Sequence, residues 1–285
     1  KLYLKAENLQ VTGAYKVRAA FTILNGLTAS ERKRGVVLTS SGNFAQAFGF
    51  AGAQMGVPIV VVMLDQTSPY KIEATRAYGA EVVFSGNDAL ARQPFVEQIA
   101  AERSMTPIDT WEDQRGTRGH ASIGLEILEQ MPDVKTVLVP VSSGGVASGV
   151  ATAIKETNPS VKVIGVQPER ANAAYVSLQK GVPTAIDYWN TIADGLSAVR
   201  PGFSPFRHLQ KFLDGIVLIS EADIARAFRS LLMRTKIMAE PAGAVAAAAF
   251  LSGNVDTSRK TVACVTGGNV TVEMAQRMLE MANES

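Results

Sequence analysis

The sequence predicts an α/β protein of two lobes, each built on parallel strands flanked by helices. Three observations lead there. Short β-branched runs alternate with amphipathic stretches of helix length, the arrangement of strand–helix–strand units. The 285 residues are 47% hydrophobic and 19% charged, enough to bury a core in each of two lobes. No internal repeat, low-complexity tract or long linker interrupts the alternation.

Thr12-Gly13 reads as a cap for a helix over 16–27, and the Val-rich run 36–39 as a strand ending in a Ser-Ser-Gly turn that opens a helix over 43–55. The same logic gives a strand at 59–63, a helix at 68–78, a strand at 81–84 and a helix at 89–103. The repeated strand–loop–helix form from Gly35 to about Ile108 predicts a small lobe. Beyond that lobe the pattern gives helices at 121–130, 146–156, 221–234, 241–251 and 270–281, and strands at 136–141, 161–166, 216–219 and 261–265.

Charge and composition remove several function classes. A formal charge of +2 with no basic run or basic–aromatic interleaving speaks against nucleic acid. The longest apolar stretches, 57–64 and 245–251, fall short of the roughly 20 residues of a membrane span. Cys264 is the only cysteine, so an intrachain disulfide and a thiolate metal cluster are both excluded, which fits a cytoplasmic setting. Its β-branched neighbours predict a buried strand residue. With only His120 and His208, a histidine triad or zinc site has little to draw on.

Three small-residue loops carry the chemistry. Pro140-Val141-Ser142-Ser143-Gly144-Gly145-Val146 follows a strand and opens a helix, where backbone amides and the helix amino terminus suit a phosphate; alone, it is equally a tight turn. Ser40-Ser41-Gly42-Asn43-Phe44-Ala45-Gln46 stands at another such junction and suits a carboxylate. Ser41 there is either a plain helix cap or an acid/base group. Val265-Thr266-Gly267-Gly268-Asn269 is the third loop.

Read with these loops, Lys5-Ala6-Glu7-Asn8-Leu9-Gln10-Val11-Thr12-Gly13-Ala14-Tyr15-Lys16-Val17-Arg18 resembles the K-x-E-N-L-Q-x-T-G-S-F-K-x-R signature of the serine/threonine dehydratase and serine racemase family of fold-type II, tryptophan synthase β-like pyridoxal-phosphate enzymes. Thr191–Leu196 and Ala239–Ala244 match as well, so the resemblance spans nearly the whole chain. The chain opens inside the signature, so part of an amino-terminal leader is expected to lie outside this numbering.

The resemblance implies that Lys16 holds the cofactor covalently, a task suited to an amine in a desolvated setting. It implies that Tyr15, Asn43, Ser142, Ser143, Gly144, Gly145, Val146 and Thr266 bind the cofactor, with Asn43 at the ring hydroxyl and Thr266 at the ring nitrogen. It implies that Ser40, Ser41, Gly42, Asn43, Phe44 and Gln46 bind the substrate and that Lys16 and Ser41 are catalytic. It also implies a small αβα domain over 35–112 inserted into a large one formed by 1–34 with 113–285, with pyridoxal phosphate between the two. Arg118 and His120, the latter where relatives often carry glutamine, are further pocket candidates.

Departures from the family pattern matter too. Ser142-Ser143 replaces glycines, and Phe44 replaces a histidine, either reshaping the pocket for a bulkier substrate or merely packing. Eukaryotic-type serine racemases hold a divalent cation through carboxylates near a G-x-E-P segment; here Gln167 and Ala173 stand at those positions, so no metal site is expected.

A neutral hydroxyl at the ring nitrogen favours elimination. The expected activity is therefore a pyridoxal-phosphate-dependent dehydratase (ammonia-lyase) acting on a serine-, threonine-, hydroxyaspartate- or arylserine-like amino acid, in a homo-oligomer, dimer or tetramer. The alternatives are an amino-acid racemase on the same scaffold, a β-replacement synthase, a non-catalytic amino-acid-binding relative and a nucleotide-binding protein. Lys16 opposes the non-catalytic relative, and the lack of a G-x-G-x-x-G fingerprint after a strand opposes the last.

Overall fold

The computed structural model describes residues 1–88 and 92–284. In chain order the elements are β1 (Leu2–Ala6), α1 (Lys16–Asn25), α2 (Ala29–Arg34), β2 (Val36–Thr39), α3 (Asn43–Met55), β3 (Ile59–Met63), α4 (Pro69–Ala77), β4 (Glu81–Phe84), α5 (Arg92–Arg103) and β5 (Thr106–Ile108). They continue as α6 (Gln114–Gln130), β6 (Thr136–Pro140), α7 (Gly145–Thr157), β7 (Lys162–Pro168), α8 (Ala173–Lys180), α9 (Phe203–Phe212), β8 (Ile216–Ile219), α10 (Glu221–Ser230), α11 (Pro241–Leu251), β9 (Thr261–Val265) and α12 (Val272–Glu284). The first three residues of the helix expected over 89–103 lie outside the described residues.

The chain divides into two compact units, residues 1–15 with 120–285, and residues 16–119. The larger unit holds a parallel sheet in the order β1-β9-β6-β7-β8. Successive side chains of a strand point to opposite faces, and the two central strands show it. Leu138, Ala263 and Val265 join one core with α10, α11 and α12. Val137, Val139, Val262 and Cys264 join another with α6 and α7. A strand sandwiched by helices on both faces buries both sets of its side chains, which is why β6 and β9 read as hydrophobic runs after an opening threonine. Alanine-rich α11 is buried from Pro241 through Ala249, as an all-round apolar helix must be.

The smaller unit repeats the plan with a parallel sheet in the order β4-β3-β2-β5. Val36, Leu38, Ile59, Val61 and Met63 face α1 and α3, where Ile23, Leu24 and Phe48 are fully buried. Val37, Val60 and Val62 face α5 through Val96 and Ile99.

The unit boundaries differ from the sequence-based ones at 35 and 112. Val17, Ala20, Ile23 and Leu24 of α1 share one apolar core with β2 and β3, so α1 and α2 belong with the smaller unit. Three helices (α2, α8, α9) and two strands (β1, β5) have no counterpart in the sequence-based reading. The helix expected at 121–130 begins at Gln114, because Asp113 accepts from the Arg115 N–H at 2.9 Å and opens it earlier. The helix expected to run from 221 to 234 ends at Ser230, with a π-helical turn over Leu231–Thr235. No helix among the described residues is long and apolar enough to cross a membrane.

Candidate active site

In the larger unit, the segment before Lys16 is laced to the loop after β9. The Tyr15 N–H donates to the Thr266 carbonyl at 3.1 Å and the Gly268 N–H to the Gly13 carbonyl at 2.9 Å. The Asn269 side-chain amide donates to the Thr12 carbonyl at 2.8 Å. These bonds join two loops some 250 residues apart in sequence into one antiparallel bridge, Ala14 facing Gly267. Thr266 is 4% exposed.

The turn between β6 and α7 is held from its outer side. The Gly202 N–H donates to the Ser143 carbonyl at 2.9 Å. Gly144 caps α7 in the left-handed region, φ 104°, with no side chain accepting from the first turn. That positive φ favours glycine, and α9 packs close by, a Cβ there lying 2.9 Å from Leu209 Cδ1 and 3.1 Å from Pro205 Cβ. The first N–H groups of an α-helix have no partner within it, and the dipole favours an anion at that end. Ser142 and Ser143 are half-buried beside this amino terminus, and Val146 is buried.

Tyr15 and His120 pack between these features, their rings 4.7 Å apart and tilted by 57°. A Cβ at Gly145 would lie 3.7 Å from His120 Cδ2, so the histidine sits directly beneath the turn. Burial pushes the Tyr15 phenol far above its ordinary value, and the negative charge of Glu240 adds to the effect. An ionisation suppressed only in the folded state costs stability once the unfolded chain ionises, so the contribution is complete below about pH 10 and shrinks as pH rises further. Tyr15→Phe is therefore expected to unfold less steeply with pH than the parent above that value in urea titrations; parallel curves would contradict it.

In the smaller unit, Lys16 opens α1 and its Nζ lies 4.1 Å from the centroid of the Phe44 ring, which in turn packs 5.9 Å from Phe48. The cap of α3 is Gly42 with no side-chain bond, so Ser41 is not the helix cap that one reading of the sequence made it. Instead, Ser40 Oγ accepts from the Gly42 N–H at 3.3 Å, and Ser41 Oγ accepts from the Thr67 hydroxyl at 3.4 Å. Asn43 and Phe44 are half-buried in the first turn of α3, and Gln46 is 5% exposed.

Thr67 is a site neighbour that the sequence-based reading missed. Adjacent parallel strands bring the loops at their carboxyl ends together, and β2 pairs with β3, so the loop after β3 was the place to look. Arg118 is exposed, and His208 on α9 is hydrogen-bonded to Thr152 on α7 at 3.0 Å. Cys264 is fully buried in β9. Gln167, where a carboxylate would serve a divalent cation, points its side-chain nitrogen at two carbonyl oxygens, and Ala173 offers no ligand, so this donor set does not fit such an ion.

With the geometry in view, three comparisons bear on the chain. The L-threonine ammonia-lyase of Geobacter sulfurreducens is 40% identical over 280 residues, covering 98% of this chain and 70% of the relative. The structure of the processed form of threonine deaminase isoform 2 from Solanum lycopersicum superposes with a TM-score of 0.94 at 30% identity, covering 99% of this chain and 83% of that one. Maize serine racemase superposes with a TM-score of 0.92 at 29% identity, covering 100% and 88%. The family model described as "Pyridoxal-phosphate dependent enzyme" matches residues 1–267, a span that takes in the Lys16 segment, the turn before α7 and Thr266; the chain belongs to that family.

Proposed function

We propose that this chain is a pyridoxal-phosphate-dependent lyase that removes water and ammonia from a threonine- or serine-like β-hydroxy-α-amino acid to leave a 2-oxo acid. The observation that carries the reading is the bridge that fixes the residue before Lys16 to the buried hydroxyl residue Thr266. The names of the relatives, L-threonine ammonia-lyase and threonine deaminase, support the substrate class.

The residues present fit the cofactor. The amino terminus of α7, which has no side-chain cap, offers with Ser142, Ser143, Gly144, Gly145 and Val146 amide and hydroxyl donors for a phosphate. Lys16 supplies the amine for covalent attachment, and Asn43 and Thr266 supply neutral polar groups for the ring hydroxyl and ring nitrogen. When bound, pyridoxal phosphate supplies an electron sink that stabilises negative charge at the substrate α-carbon.

The chain's own groups do the rest. Ser40, Ser41, Gly42 and Asn43 grip the substrate carboxylate at the start of α3, where the helix dipole favours an anion. Lys16 Nζ, as the free amine, would take the α-proton. The neutral Thr266 hydroxyl tempers electron withdrawal and steers the reaction toward loss of the β-hydroxyl as water. The enamine released then hydrolyses to the 2-oxo acid and ammonia. Phe44 walls the amine of Lys16 on one side.

The test is a panel of β-hydroxy amino acids, L-threonine and L-serine first, assayed for 2-oxo acid and ammonia released in equal amounts by purified protein with added cofactor. A panel that yields neither product would overturn the reading. A serine racemase reading rests on Ser41 as the proton donor opposite Lys16 and on the likeness to maize serine racemase. Ser41→Ala separates the two: the lyase keeps its 2-oxo acid production within about tenfold, roughly 1.4 kcal/mol of barrier. Loss of enantiomer exchange as the main effect would favour the racemase. The working form is proposed as a cytoplasmic homo-oligomer, dimer or tetramer, its size to be read by sedimentation.

A further inference from the structure

Gln167 lies on β7 and is 0% exposed, a long polar side chain with every face in protein. Its Nε2 donates to the carbonyl of Val141 at 3.3 Å and to that of Ala171 at 3.3 Å. Its Oε1 accepts from the Tyr175 N–H at 2.8 Å. A carboxamide has two N–H donors and one acceptor oxygen, and here all are engaged. The orientation is fixed by its partners, because a flip would set oxygen against two carbonyls and nitrogen against an N–H.

The partner that matters is Val141. The ladder of β6 with β7 ends at Pro140 opposite Val166, and the Val141 N–H makes the last backbone bond, to the Val166 carbonyl at 2.9 Å. The Val141 carbonyl has left the ladder and is buried, so it needs a donor from elsewhere. It shares a peptide plane with the N–H of Ser142, and in a trans peptide the two point in opposite directions. Whatever holds the carbonyl therefore aims the Ser142 N–H.

We propose that Gln167 is a positioning residue for the phosphate-binding turn, its buried amide fixing the Val141–Ser142 peptide so that the turn before α7 presents its donors to the phosphate. The proposal rests on the reading of Ser142–Val146 as the phosphate site. It also assigns work to a position where racemases place a cation ligand. Two carbonyl oxygens converge there, and the amide's two N–H groups meet them as neutral donors. Gln167→Glu would replace those donors with a third oxygen, an arrangement that suits a hard divalent cation.

The test is titration of the cofactor-free protein with pyridoxal 5′-phosphate and with pyridoxal, which lacks the phosphate, read by absorbance. Gln167→Leu is expected to lose about tenfold of the parent's preference for the phosphate ester, the worth of one hydrogen bond to a charged group, while its affinity for pyridoxal stays at the parent's level. A merely structural role would weaken both ligands alike. Gln167→Glu is expected to lose the same preference in chelator and to regain it with magnesium chloride, a reading that serves even where the leucine variant does not fold. Retention of the parent's preference by Gln167→Leu, or by Gln167→Glu in chelator, overturns the proposal. Gly144→Val tells which step failed. If it abolishes the preference while Gln167→Leu keeps it, only the role of Gln167 falls; if it too keeps the preference, the turn is not the phosphate site and both readings fall.

Discussion

Lys16→Ala is expected to yield a folded, colourless protein whose release of 2-oxo acid falls by on the order of 10⁴-fold, the upper range for removal of a general base. The change removes the amine proposed both to attach the cofactor and to take the α-proton, so spectrum and rate fail together. The fold should survive. Lys16 is half-buried at the first position of α1, alanine is at least as good a helix former as lysine, and the packing of α1 rests on Val17, Ala20, Ile23 and Leu24 instead. The check is an absorbance spectrum after incubation with pyridoxal phosphate, beside far-ultraviolet circular dichroism. A yellow Lys16→Ala protein with activity near that of the parent would remove Lys16 from the chemistry.

Gly243→Val is the second large effect, and it acts from outside the site. Glycine to a side-chain-bearing residue inside a helix ordinarily gains stability, by roughly 0.5–1 kcal/mol for alanine. Here a Cβ at Gly243 would lie 2.3 Å from the Gly267 carbonyl oxygen and 3.1 Å from its nitrogen. These are backbone atoms of the residue next to Thr266, so the obstruction cannot be relieved by a rotamer change. Overpacking of this kind costs about 1–3 kcal/mol, more than the helix gains, and valine adds two methyl groups to the conflict. Because α11 is buried along nearly its whole length, the strain falls on the loop. The expected outcome is a lower unfolding temperature together with an altered cofactor absorbance. Unchanged stability and spectrum would mean that the loop yields freely and Thr266 is not held by α11.

Much of this was legible in the sequence because the signal was local. The strands β2, β3, β4, β8 and β9 and the helices α3 and α11 fall on the residues that periodicity assigned, since a parallel strand between two helical layers is an unbroken apolar run and a buried helix is apolar all round. What escaped was set by distant partners. β1 is half-buried at every position and carries Lys5, so its pattern is that of no particular element; it becomes a strand by pairing with β9, Leu2 to Thr261 through Ala6 to Val265. The first turns of α6 carry Gly116 and Gly119, residues of low helix propensity. Gly119 is there because a Cβ would meet the Arg18 carbonyl at 2.6 Å, where α6 crosses α1.

The same division holds for the candidate site. Loop motifs and the family resemblance together pointed to Ser40 to Asn43, Ser142 to Val146 and Thr266, which follow β2, β6 and β9. Thr67 beside Ser41 and Gln167 beneath Val141 follow from strand order, which no spacing along the chain encodes. Gln167 had stood out only for the charge it lacks; its three hydrogen bonds show what it supplies instead.

The central claim, elimination on a pyridoxal-phosphate scaffold, is tested most directly by partial turnover of L-threonine in heavy water by the parent protein, following 2-oxo acid, ammonium and the chirality and deuterium content of the recovered amino acid in one sample. The account predicts 2-oxo acid and ammonium in equal amounts, with the remaining substrate still of the starting configuration. Rapid conversion of that substrate to the opposite configuration with deuterium at its α-carbon, and little 2-oxo acid formed, would contradict it.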